Sequence, residues 1–93
     1  MDTETIKQQV THILRVRHPE INAQYLHTGG GIYCIFFDLP NGEIGLCGDA
    51  DVVWRCEIDD ASGDYLREVN LGLPVHGTTA EQLADSLESE FNL

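Results

Sequence analysis

Ile32-Tyr33-Cys34-Ile35-Phe36-Phe37-Asp38-Leu39, then Pro40-Asn41-Gly42-Glu43, then Ile44-Gly45-Leu46-Cys47: the fold turns on this stretch. Asn-Gly between two apolar runs is the strongest short-range signal for a β-hairpin. A two-residue loop centred on it sets Leu39 opposite Ile44, Phe37 opposite Leu46 and Phe36 opposite Cys47, with Pro40 beside the turn tending to lengthen the loop. The first run is apolar on both faces, with Ile32, Cys34 and Phe36 on one and Tyr33, Ile35, Phe37 and Leu39 on the other. A strand of that kind is central and covered on both sides.

Working outward, Thr28-Gly29-Gly30-Gly31 reads as a turn, preceded by a short edge strand in which Ile21, Ala23, Tyr25 and His27 alternate with Asn22 and Gln24. Before that, Ile6, Val10, Ile13 and Leu14 fall at helical spacing. Asp2 or Thr3 suits the start of this helix, Arg15, Arg17 and His18 suit its negative end, and Pro19 stops it. Downstream, Gly48-Asp49-Ala50-Asp51 reads as a turn. Val52, Trp54, Cys56 and Ile58 then alternate with Val53, Arg55, Glu57 and Asp59; Asp59 to Asp64 form a loop, and Tyr65 to Leu73 form a last strand. Thr78 and Glu81 make a capping box for a final helix that buries Ala80, Leu83, Ala84, Leu87 and Phe91. The expected fold is α+β: an antiparallel β-meander of three to five strands flanked by an N-terminal and a C-terminal helix, one domain over residues 1–93. With both helices on one face, the other needs a loop or a second chain, so a homodimer or a protein partner is expected to cover it.

Charge is distributed unevenly. Thirteen of the sixteen carboxylates follow residue 37, opposed there only by Arg55 and Arg67, so the whole formal charge of −11 falls on the last 56 residues. Charge this far from zero weakens the compact state by self-repulsion and steers association with basic partners. It disfavours direct binding to nucleic acid or anionic membranes, which require a positive patch. Adaptation to salt also yields acid-rich, lysine-poor chains, but it acidifies the whole surface, whereas residues 1–37 are neutral here. Three cysteines, an odd number at low density, point to a reducing compartment, and no apolar run reaches the roughly 18 residues that span a bilayer. A cytoplasmic protein is the expectation.

No catalytic pattern emerges. The glycine run at 29–31 opens a strand rather than a helix and lacks the Gly-Lys-Ser/Thr of a phosphate loop. Cys34, Cys47 and Cys56 sit among apolar neighbours, where cysteine acts as a small hydrophobe. Acidic surroundings disfavour a thiol nucleophile paired with His76 or another histidine. Zinc spacing and the EF-hand pattern are both missing. The expectation is therefore a non-enzymatic chain without metal or cofactor. Trp54 reads as a core anchor or the aromatic centre of an interface.

The acidic residues themselves are the candidate site. Glu81, Asp85 and Glu88 form a helical stripe of about 10 Å, and duplex DNA carries one charge per roughly 1.7 Å, so the stripe is sparser than DNA but comparable in kind. Asp49, Asp51, Asp59, Asp60 and Asp64 add a second cluster from the hairpins. Together these eight carboxylates are the expected contact surface for a basic protein partner. The final stretch of the helix has no cation of its own to offset Glu88 and Glu90.

From Tyr25 to Trp54, the order Thr-Gly-Gly-Gly-Ile, apolar strand, Asn-Gly, second strand and tryptophan resembles small acidic proteins of phages and mobile elements. These include anti-restriction and anti-CRISPR inhibitors. The resemblance implies a binding inhibitor, a nucleic-acid mimic that occupies a basic nucleic-acid groove of a defence or regulatory protein; it assigns no role to a particular residue. The alternative is a small assembly protein that oligomerises through its apolar sheet face.

Overall fold

Asp2 starts the first helix by accepting a hydrogen bond from the Thr5 backbone N–H at 2.7 Å, which satisfies one of the donors left open at a helix N-terminus. Helix α1 (Thr3–Arg17) then buries Ile6, Val10 and Leu14 and ends before a single 3₁₀ turn at Pro19–Ile21. Asn22 closes that turn in the left-handed conformation at φ 53°. The computed structural model describes residues 2–26, 32–50 and 52–93, and the remaining elements are β1 (Gln24–Tyr25), β2 (Tyr33–Asp38), β3 (Ile44–Ala50), β4 (Val53–Asp59), β5 (Tyr65–Pro74) and α2 (Ala80–Phe91). The expected glycine turn at 28–31 lies outside the described residues, as do His27 and Asp51.

The sheet is a five-stranded antiparallel meander in the order β1-β2-β3-β4-β5, with a helix at each end of the chain. The α+β architecture read from the sequence is the one observed. Its pairing differs in detail. Asp38 faces Ile44, Phe37 faces Gly45, Phe36 faces Leu46 and Ile35 faces Cys47, one residue away from the register of a two-residue loop. The connection spans Leu39 to Glu43 instead, closed by Leu39 N–H donating to Glu43 O at 2.7 Å and Gly42 N–H donating to Leu39 O at 3.2 Å. Pro40 occupies this longer loop, and Gly42 takes φ +85°, a conformation glycine adopts without steric cost.

Two further readings are corrected. Gly48 to Ala50 belong to β3 rather than to a turn, because Gly48, Asp49 and Ala50 pair with Arg55, Trp54 and Val53. Gly48 is needed there for close approach: a Cβ on it would run into the Ile32 carbonyl, where β2 carries a bulge between Tyr33 and Ile35. The α2 capping box is made by Thr79 and Gln82, not Thr78 and Glu81, with the Gln82 side chain accepting from Thr79 N–H at 2.9 Å and Thr79 Oγ1 accepting from Gln82 N–H at 3.1 Å. Thr78 is buried one position earlier.

Alternation assigns the two faces of the sheet. Ile35, Phe37, Cys47, Trp54, Cys56, Ile58 and Val69 form one cluster with Ile6, Val10 and Leu14 of α1 and Leu83, Leu87 and Phe91 of α2. Phe37 meets Phe91 edge to face at 5.7 Å between ring centroids. Trp54 is a core residue with 0% exposure, and its indole N–H has no hydrogen-bond partner among the described residues. Ile6 and Gln9 share a hollow with Ala80 and Glu81, while Arg17 reaches Asp85 and Glu88, so the helices run side by side in the same direction. The bulge in β2 brings Cys34 into the buried layer beside Ile35 and places Tyr33 on the opposite face, opposite Gly48. Among the described residues that opposite face carries no helix.

Candidate functional site

Six of the eight carboxylates singled out from the sequence fall into three groups, with Glu81 apart from them. Asp49 projects from β3 toward α1 and forms an ion pair with the buried ammonium of Lys7, the only lysine in the chain. Glu4 approaches the same ammonium at 3.5 Å, Cys34 Sγ lies 3.7 Å from it, and the Tyr25 hydroxyl donates to Glu4. Burial alone would lower the Lys7 pKa, but the hydrogen bond and charge of Asp49, with smaller help from Cys34 and Glu4, hold it above the ordinary lysine value. Asp49 is thus a structural counter-ion that pins α1 to the sheet. Asp51 lies outside the described residues.

Asp85 and Glu88 form the second group. Arg17 Nη1 lies 2.8 Å from Asp85 Oδ1 and 2.5 Å from Glu88 Oε1, and His18 Nε2 lies 2.9 Å from Glu88 Oε2. The hydrogen bond from His18, joined by that from Arg17, outweighs burial and lowers the Glu88 pKa. These two carboxylates brace one helix against the other. The end of α2 carries no cation of its own, yet α1 supplies one across the helix pair. Pairing of this kind is long-range in sequence, which is why composition along the chain missed it.

The third group faces solvent. Asp59 ends β4, and Asp60 to Asp64 form the β4–β5 turn, where the Asp60 carboxylate accepts from Ser62 N–H and Asp64 N–H, both at 2.9 Å. Asp38, Ile44, Asp59 and Tyr65 make one row across four strands at this end of the sheet. The β2–β3 loop is beside it, since a Cβ on Gly42 would touch Ala61 at 3.4 Å. Glu43, Arg67, Glu90, Phe91 and Asn92 line a hollow of about 390 Å³ there, so the C-terminal end of α2 joins the same pole of the molecule. Asp38, Glu43, Asp59, Asp60, Asp64 and Glu90 therefore gather at one end, next to the partial negative charge of a helix C-terminus. Glu81 sits at the other end of α2, about 13 Å from Glu90 at 1.5 Å per residue.

The cysteines also differ from their reading as three apolar fillers. Cys47 and Cys56 are directly opposed on β3 and β4 and joined by a disulfide, while Cys34 is free and buried. A signal existed: the two lie symmetrically about the junction between Asp51 and Val52. Reading Gly48 to Asp51 as a turn concealed it.

Among the described residues no group of three or more His, Cys, Asp or Glu side chains is placed to hold a metal ion. No helix is long and apolar enough to cross a membrane. A hollow of about 560 Å³ lies between the starts of α1 and α2 and is lined by Ile6, Gln9, His76, Thr78 and Glu81 among others. No protein-family model matches the chain, and neither a curated protein sequence nor a solved structure matches it.

Proposed function

We propose that the chain is a non-enzymatic, acidic protein-binding module that engages a basic groove of another protein, of the kind that holds nucleic acid in a defence or regulatory protein. The observation that carries this reading is the pole formed by Asp38, Asp59, Asp60 and Asp64 with Glu43 and Glu90, drawn from two hairpins and a helix end. Concentrating like charges costs folding free energy, and a basic partner offsets that cost while the field accelerates encounter. The contact surface is accordingly narrower than the eight carboxylates: Asp59, Asp60 and Asp64 remain in it, and Asp49, Asp85 and Glu88 serve the fold.

Capture of partners at low salt tests this. Wild type should retain basic proteins and release them as ionic strength rises. Asp59→Lys with Asp64→Lys should abolish capture, while the Glu81→Lys variant at the far end of α2 should preserve it. Partners that are not basic, or equal loss from Glu81→Lys, would overturn the proposal.

A further inference from the structure

The face of the sheet left uncovered by the described residues has its own pattern, which meets the acidic pole at Asp38 and Asp59. Its rows run Asp38, Ile44, Asp59 and Tyr65, then Phe36, Leu46, Glu57 and Glu68, then Tyr33, Gly48, Arg55 and Asn70. In the middle row the apolar Phe36 and Leu46 of β2 and β3 lie beside the carboxylates Glu57 and Glu68 of β4 and β5, and in the first row Ile44 lies between Asp38 and Asp59. Leu26, Phe36, Ile44 and Leu46 line a hollow of about 420 Å³ together with Asp38 and Asp59. Leu26 is 45% exposed and Ile44 36%, although both belong to residue types that favour burial. The only cation on these rows, Arg55, is held by Glu68 at 3.1 Å.

We propose that this face is a docking surface for an amphipathic helix of a partner protein, with its apolar stripe on Phe36, Ile44 and Leu46 and a flank of Lys or Arg on Glu57 and Asp59. Dimensions favour a helix lying along β3. Residues two apart on one strand face are about 6.6–6.8 Å apart, close to the roughly 6 Å rise between positions i and i+4 of a helix. One helix, about 10–12 Å wide, covers two to three strands spaced about 4.8 Å apart. Aliphatic residues at i and i+4 therefore meet Leu46 and Ile44 while basic residues at the same interval meet Glu57 and Asp59. A second copy of this chain is the poorer occupant, because it would bring a second set of carboxylates against the first. The inference rests on the reading of the chain as a binder of basic protein and adds an apolar contact that the acidic pole lacks.

Three constrained helical peptides test it by titration into isotopically labelled protein, followed by amide chemical shifts. One carries a leucine stripe flanked by lysine, one leucine flanked by glutamate, and one serine flanked by lysine. The leucine–lysine peptide should bind most tightly and shift amides around Phe36, Ile44, Leu46 and Glu57. Phe36→Ser and Glu57→Lys, each checked for an unchanged circular dichroism spectrum, should each weaken it by roughly tenfold, about 1.4 kcal/mol. Equal binding of the serine–lysine peptide would overturn the inference; if Asp64→Lys abolished that binding, the acidic pole would remain the site. Equal binding of the leucine–glutamate peptide, or no binding of the leucine–lysine peptide, would also overturn it. So would a doubled mass by light scattering that Leu46→Ser returns to a monomer.

Discussion

Arg17 of α1 bonds two carboxylates of α2 through one nitrogen, with Nη1 2.8 Å from Asp85 and 2.5 Å from Glu88. Glu88 has a second partner in His18 at 2.9 Å, and its pKa lies below the ordinary carboxylate value of 4.5. A carboxylate with a depressed folded-state pKa contributes stability that is fully present above its unfolded pKa and lost as pH falls through the folded one. The melting temperature of wild type should therefore exceed that of Glu88→Gln at pH 6. The gap should close as pH falls below 4.5 and through the lowered folded-state value. Comparing the two proteins removes the background gain expected as other carboxylates protonate and self-repulsion fades. A gap independent of pH would mean that Glu88 acts through packing alone.

Lys7 makes the second prediction. Removing one member of a buried ion pair leaves the other without its counter-charge, and Asp49 is only partly accessible to water. Lys7→Met should cost about 2–4 kcal/mol, reflecting the partial exposure of Asp49. At about 4–8 °C per kcal/mol for a chain of this size, the loss is plain in a thermal melt. Adding Asp49→Asn should recover most of it. A single variant as stable as wild type would show that the pair is not coupled to folding.

The disulfide gives a third. Cys47 and Cys56 are nine residues apart, so their bond constrains only a short loop of the unfolded chain. The chain-entropy relation gives about 2.6 kcal/mol for a loop of that length. Reductant should lower the melting temperature by roughly 10–20 °C and leave a folded protein, since both side chains remain packed in the core. Differential scanning with and without reductant measures the change.

Glycine substitutions supply the fourth. Gly48→Ala drives a Cβ into the Ile32 carbonyl, a backbone atom that moves only if β2 moves. Gly45→Ala meets the Phe37 ring at 2.7 Å, where a side chain can tilt. Gly45→Ala should cost about 1–3 kcal/mol, the usual penalty of overpacking. Gly48→Ala should cost more or prevent folding, as urea titration of the two variants would show.

Much of the architecture was legible because local signals decided it. Apolar spacing located α1 and α2, alternation placed Trp54, Cys56 and Ile58 on one face, and Asn41-Gly42 marked the first hairpin. What the sequence obscured depends on geometry between strands or between chain ends. Pro40 lengthened the loop and moved the register by one residue, and the bulge beside Gly48 transferred Tyr33 to the open face. The pairing of the acidic residues was hidden for a similar reason: counting charge along the chain divided it into a neutral segment and an acidic one. In space Lys7 and Arg17 cross that boundary to meet Asp49, Asp85 and Glu88. The two-sided apolar character of β2 was correct, and one of its sides has no cover within the described residues.

The meander also sets how the molecule assembles in time. Each strand pairs with its neighbour along the chain, so the sheet closes through short loops and at low entropic cost. The two helices meet only across almost the whole chain, Arg17 to Glu88 being 71 residues apart. Hairpins are therefore expected to form early, with the contact between α1 and α2 completed late. Substitutions at the Arg17–Glu88 brace should accelerate unfolding and leave the folding rate nearly unchanged, whereas substitutions in the β3–β4 hairpin should slow folding itself.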